Sequence, residues 1–130
     1  MDIHLQKNKL GRIGEQLAEH FLTKNNYHIV QRNFRLRNGE IDIIAIENPE
    51  GLAKDKTLVF IEVKTRTTED FGTPLEAITY FKLKTLIRSA EVYKTSHKNL
   101  PDAMRIDAIA IIVDQNGELA SLEHVKNISG

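Results

Sequence analysis

Glu62 and Lys64 stand two residues apart in Phe60-Ile61-Glu62-Val63-Lys64-Thr65, a run otherwise suited to a buried strand. Side chains alternate across a strand, so the acid and the lysine point to one face. A second acid, Asp42, interrupts the equally apolar Gly39-Glu40-Ile41-Asp42-Ile43-Ile44-Ala45. Burying a charge is costly unless it is paired or binds a metal. Two carboxylates and one lysine suit metal-dependent cleavage of a phosphodiester. Hard oxygen ligands such as Asp42 and Glu62 take Mg²⁺ or Mn²⁺, and an ion so held supplies charge and an acidified water. Lys64 would position the water or stabilise charge on phosphate. An isolated E-x-K reads first as a structural ion pair on a half-exposed strand, and Asp42 in a second apolar run is what brings the site reading level with it. The residues alone leave both readings open.

The elements that would carry these groups follow from periodicity and turn signals. Leu10, Ile13, Leu17 and Phe21 recur at helical spacing and predict a first helix over Lys9 to Thr23. Gly11, Glu15, Ala18 and Leu22 flank that stripe. Glu15 therefore borders the buried face among small residues, which would let the helix approach a sheet and turn this acid into a site. A strand is expected from His28 to Leu36, a hairpin turn at Asn38-Gly39, and a return strand from Glu40 to Ile46. The stretch Asn48 to Lys56 reads as a loop, and Leu58 to Thr65 as a third strand. Thr73-Pro74-x-Glu76 has the form of a capping box opening a helix that reaches Ser96, bent near Tyr80. Strands over Met104 to Val113 and Leu119 to His124 complete the order α-β-β-β-α-β-β. That order implies one domain over residues 1–130 of the α/β (α+β) class, a mixed sheet flanked by helices.

Composition bounds the function. A chain of 130 residues with 41% hydrophobic and 28% charged residues fits one soluble domain. No apolar run is long enough to span a bilayer, and the first residues lack the apolar stretch of a signal peptide. The expectation is therefore a cytoplasmic protein without a membrane partner. There is no cysteine, which excludes a disulfide framework and thiolate chemistry. A formal net charge of zero argues against tight, sequence-blind coating of nucleic acid, though a local basic groove can adjoin an acidic site. Arg35, Arg37, Arg66 and Lys82, with Arg32 and Lys84, are the candidates to hold phosphates. Arg105 and Asp107 share a strand face and read better as a structural pair than as a site. The five histidines show no metal-ligand spacing and read as surface residues.

A resemblance joins these fragments. Gly11-x-x-Gly14-Glu15-x-x-Ala18, Asn33-x-Arg35, Gly39 to Ala45, Phe60 to Arg66, Phe71-Gly72-x-Pro74-x-Glu76-Ala77 and Arg105-Ile106-Asp107 resemble, in order, the motifs of the bacterial YraN family. The similarity covers about residues 9 to 113. It implies the restriction-endonuclease-like PD-(D/E)xK fold, close to archaeal Holliday-junction resolvases. By that resemblance Asp42 is the motif aspartate, Glu62 the second acid, Lys64 the lysine, and Glu15 the helix acid that completes such sites. Lys82 falls where the family keeps lysine. Ile41 stands where the wider superfamily often has proline, and Asn26-Tyr27 where many relatives have glycine before the aromatic residue. The implied activity is a Mg²⁺- or Mn²⁺-dependent endonuclease on DNA, including branched or damaged DNA in repair or recombination. A resolvase-like mode would imply a homodimer. The alternatives are a nuclease fold that grips nucleic acid without cutting, and a repair-associated adaptor whose acid–lysine cluster is an ion-pair network.

Overall fold

The apolar run at the centre of the chain becomes the middle strand of the sheet. In the computed structural model, which describes residues 3–49, 55–68 and 72–130, Thr57–Thr67 forms β3. Ahead of it come α1 (Ile3–Lys24), β1 (Tyr27–Leu36) and β2 (Gly39–Glu47). After it come a 3-10 turn (Pro74–Ala77), α2 (Tyr80–Ser96), β4 (Met104–Val113) and β5 (Leu119–Val125). The five strands lie in one sheet in chain order, with β3 and β4 parallel and every other neighbour antiparallel. The α+β class and the order of elements are thus as expected from the sequence. Most of the loop expected at 48–56, and Phe71, lie outside the described residues.

Helices cover both faces, which is why β3 and β4 carry nearly unbroken apolar runs. On one face α1 packs against Ile43, Ala45, Val59, Ile61, Ile109 and Ile111. On the other, α2 places Leu86, Ala90 and Tyr93 against Ile44, Leu58, Phe60 and Ile106. From Ile43 onward the odd-numbered residues of β2, like those of β3, face α1 and the even-numbered ones face α2, whereas Gly39 and Ile41 at the start of β2 lie on the α2 side.

Two elements depart from the sequence reading. The deepest part of α1 is not the Leu10–Phe21 stripe, whose members are half-buried, but Ala18 and Leu22, both fully buried. Gly14 explains the rotation. A Cβ there would collide with the side chain of Thr65, so glycine lets the helix lie directly on β3. Gly11 has no such neighbour. The second departure is the helix expected from Pro74. Ile78 is extended (φ −91°, ψ 92°) and ends the 3-10 turn, and Thr79 starts a new helix by accepting a hydrogen bond from Lys82 N at 3.1 Å. Thr73 makes no side-chain cap bond. The capping box is replaced by the better-placed threonine six residues on.

Candidate active site

The β2–β3 ladder runs from Glu47↔Thr57 to Ile43↔Ile61 and then stops. One step further along the same register, Asp42 faces Glu62. Here the strands part, and the amide that the ladder leaves open is taken by a side chain: Val63 N donates to Asp42 Oδ2 at 2.8 Å. Asp42 thus does the work of a backbone carbonyl and is fixed at the mouth of the gap.

Glu62 is 3% exposed. Its Oε1 lies 3.5 Å from Lys64 Nζ and 3.8 Å from Lys82 Nζ. Lys64 arrives from the same face of β3, and Lys82 from the first turn of α2, whose start is fixed by Thr79. The other oxygen, Oε2, is buried with no hydrogen-bond partner among the described residues. A buried carboxylate oxygen without a donor is costly. Burial, with the charge of Asp42 second and a hydrogen bond from protonated Glu62 to Asp42 adding to it, pushes the Glu62 carboxyl up to about 7; the two lysines pull the other way without offsetting it, and it is the ionised form that lacks a donor at Oε2. Burial also raises Asp42, against the lowering effect of the Val63 amide.

Glu15 comes within electrostatic reach where β2 leaves β3. Its carboxyl is raised by partial burial and then by Asp42, Glu40 and Glu19. Asn33 joins these acids. It lies on β1 between the pairs Arg32↔Ile43 and Phe34↔Ile41, opposite Asp42, in the left-handed region at φ 50°, a conformation asparagine tolerates. With its amide nitrogen turned toward the acceptors, it donates to Glu15 Oε1 and Glu40 Oε1, both at 3.1 Å. Its placement inside a strand at positive φ could not be read from the sequence, which offered only its position in a motif.

The expected phosphate holders separate. Lys82 is in the site, and Arg66 lies half-buried two residues beyond Lys64 on the same strand face. Arg35 is exposed and loosely paired with Glu40 at 3.4 Å. Arg32 is taken by Glu19 at 2.6 Å. Arg37 lines a cleft against α2.

A second polar cluster lies on the α1 face, reaching from Asp107, which pairs with Ile61, to Glu47, about 16 Å along β2 from Asp42. Arg105 donates to Asp107 Oδ1 (2.8 Å) and Oδ2 (2.9 Å), to Glu47 Oε1 (2.8 Å) and to the Tyr27 hydroxyl (2.9 Å). Tyr27 in turn donates to Glu47 Oε2, and Asp107 also accepts from Asn127 N. His124 Nε2 meets Asp107 Oδ2 at 2.8 Å, and its side chain is 9% exposed. The Arg105–Asp107 pair is structural, as expected, whereas His124 is a core partner and not a surface residue. These donors outweigh burial and hold Asp107 and Glu47 down at about 2.

Among the described residues no three His, Cys, Asp or Glu side chains are arranged to hold a metal ion. Asp42 and Glu62 do fit one chemically: they are hard oxygen donors, and both are raised first by burial, which a bound cation would offset. Mg²⁺ commonly takes one or two carboxylates and completes its shell with water and phosphate oxygens.

Relatives share this chain over most of its length. A UPF0102 protein of Chlorobium phaeobacteroides is 44% identical over 122 residues, 91% of each chain. One from Geobacter metallireducens is 38% identical over 123 residues, 95% of this chain and 93% of its own. Another, from Alkaliphilus oremlandii, is 41% identical over 119 residues, 92% and 96% of the two chains. The family model described as "Uncharacterised protein family UPF0102" matches residues 14–111, which hold Glu15, Asp42, Glu62, Lys64, Lys82 and Asp107 together. The chain therefore belongs to UPF0102, the YraN family.

Proposed function

We propose that this protein is a divalent-metal-dependent endonuclease that hydrolyses phosphodiester bonds in DNA, with branched or damaged DNA as its target. The observation that carries this reading is the buried Glu62 carboxyl opposite Asp42, whose Oε1 faces two lysines while its Oε2 has no hydrogen-bond partner among the described residues. Asp42 and Glu62 would hold Mg²⁺ or Mn²⁺, with Glu15 as the outlying acid. Such an ion, when bound, supplies Lewis-acid charge and an acidified water.

The chain's own groups have separable tasks. Val63 N fixes one oxygen of Asp42, so the carboxylate does not swing when the phosphate arrives. Lys64 and Lys82 place two ammonium groups beside Glu62, where charge develops on a phosphate undergoing attack. Asn33 ties Glu15 to Glu40 through its amide and would hold Glu15 for the outlying position. A resolvase-like action on two strands would require a homodimer.

The two ammonium groups within 4 Å of Glu62 Oε1 also favour a second reading, a nuclease-like fold that binds nucleic acid or a repair partner and keeps the cluster as an ion-pair network. One experiment separates them: labelled four-way junction, flap, single-stranded and duplex DNA incubated with wild type, Glu62→Ala and Lys64→Ala in Mn²⁺, Mg²⁺ or EDTA. Cutting that needs the metal and disappears in both variants is expected. Binding without cutting by wild type, unaffected by Glu62→Ala, would move the assignment to the second reading.

A further inference from the structure

α2 has two polar edges with different surroundings. One carries Lys82 into the site. Its neighbour, the stripe Phe81, Lys84 and Arg88, borders a cleft of about 740 Å³ against the β1–β2 turn. Gly39 makes the floor: a Cβ there would meet Thr85 and Ser89 of α2 at 2.7 and 2.9 Å, so the turn and the helix are in close contact. Arg37 closes the opposite wall.

Three features of this cleft point to one kind of occupant. It collects Arg37, Lys84 and Arg88, and none of the described residues lining it is acidic, in a chain whose net charge is zero. Phe81, at its rim, is 80% exposed, an unusual position for a phenyl ring on a helix. Tyr80 beside it is 74% exposed, but Lys84 Nζ covers its ring at 5.0 Å, whereas Phe81 makes no ring contact among the described residues. Finally, the cleft leads to the site. Gly39 is three residues from Asp42 on β2, about 10 Å along the strand, and Phe81 directly precedes Lys82.

We infer that the cleft between the β1–β2 turn and α2 holds an unpaired nucleic-acid strand, its phosphates on Arg37, Lys84 and Arg88 and one base stacked on Phe81. Cations that track a backbone beside an open aromatic face are how sequence-tolerant single-strand binders work. A duplex keeps its bases stacked on each other and has no free face to offer the ring. The inference deepens the reading of Asp42 and Glu62 as a phosphodiester site and rests on it for the strand's direction. It gives the enzyme a preference for DNA with an unpaired arm.

Binding can be measured apart from cutting. Fluorescence anisotropy in EDTA would follow a labelled oligodeoxythymidylate of about fifteen nucleotides and a duplex of equal length, against wild type, Phe81→Ala and the Lys84→Ala/Arg88→Ala pair. Phe81→Ala should weaken single-strand binding about tenfold and leave duplex binding and the melting temperature unchanged. The double variant should weaken both and lower the salt dependence by about one ion per lost contact. Single-strand affinity unchanged in Phe81→Ala, or no single-strand binding by wild type, overturns the inference. So does a Phe81→Ala variant that falls from dimer to monomer in sedimentation with its affinity intact, since the ring would then serve a second copy of the chain. If wild type cuts DNA while Phe81→Ala binds normally, the cleft is wrong and the site stands. If nothing is cut while the binding pattern holds, the converse applies.

Discussion

Replacing Glu62 by glutamine should make the metal-free protein more stable, and by an amount that depends on pH. Burial moves this carboxyl from its ordinary 4.5 to about 7, so ionising it in the folded protein costs about 3 kcal/mol more than in the unfolded chain. The folded protein holds the proton more tightly. The associated stability is complete below pH 4.5 and is lost as pH rises through about 7. The attraction of Lys64 and Lys82 is already contained in this balance; their side chains are 25% and 36% exposed, and water screens them. Glu62→Gln keeps the shape and cannot ionise, and its amide can donate toward Asp42. At pH 8 in EDTA it should exceed wild type by about 3 kcal/mol, which for a domain of this size is about 10 °C in Tm. At pH 4.5 the two should melt together. Mn²⁺ should then raise the Tm of wild type, more at pH 8 than at pH 6 because the ion competes with the proton, and leave the variant unmoved. A variant less stable than wild type across this whole range would refute the reasoning. It would make Glu62 a stabilising member of an ion-pair network.

The second cluster should respond in the opposite sense. Asp107→Asn, which leaves Arg105 buried against a neutral amide, should cost about 3–5 kcal/mol in urea melts without altering DNA affinity measured on the folded fraction. Because Asp107 and Glu47 are held at about 2, below their ordinary 3.8 and 4.5, the stability they give is present above those ordinary values. Wild type should lose it as pH falls from about 4.5 toward 2, read by circular dichroism. Gly14→Ala should destabilise by about 1–3 kcal/mol, because its methyl group must displace Thr65. It should also lower cleavage by lifting Glu15 from the site. Thr65→Ala in the same chain should recover part of the stability, and an additive double mutant would show that the two do not touch.

How much of this was legible depends on whether a residue's role is local. The strand carrying Glu62 and Lys64 on one face follows from alternation alone, and the Asn38-Gly39 turn set the β1–β2 pairing, whereas the β2–β3 register that brings Asp42 opposite Glu62 spans the connection after Glu47 and had no local signal. The face of α1 did not follow. Leucine and phenylalanine mark a stripe in sequence, but the closest approach is set by Gly14 against Thr65, a partner fifty-one residues away. The interruption expected near Tyr80 is a full break at Ile78-Thr79 rather than a bend, and this was hidden because Thr73-Pro74-x-Glu76 offers an equally good cap on local grounds. His124 carried no spacing signal since its partner, Asp107, comes from another strand. Lys82 reached the list of candidates through a motif, and only α2 packing over β3 shows that its ammonium meets Glu62.

The contrast between the two polar clusters is what gives the site its meaning. Both bury acids in the same sheet, and both set cations beside them. At Asp107 every oxygen has a donor, from Arg105, His124 or the Asn127 amide, and the carboxyl is held ionised. This is how a buried charge is accommodated when the fold is its only purpose. Glu62 lies one residue away in the parallel register, since Ile61 pairs with Asp107, yet its Oε2 has no donor among the described residues and its carboxyl is raised. A chain able to satisfy Asp107 so completely is not short of means to satisfy Glu62. Leucine or glutamine at 62 would remove the burden, at no cost to the strand. Retaining an acid there is reasonable where a positive charge arrives from outside the chain, and on the proposed reading that arrival would be a divalent ion meeting a phosphate beside Asp42, Lys64 and Lys82.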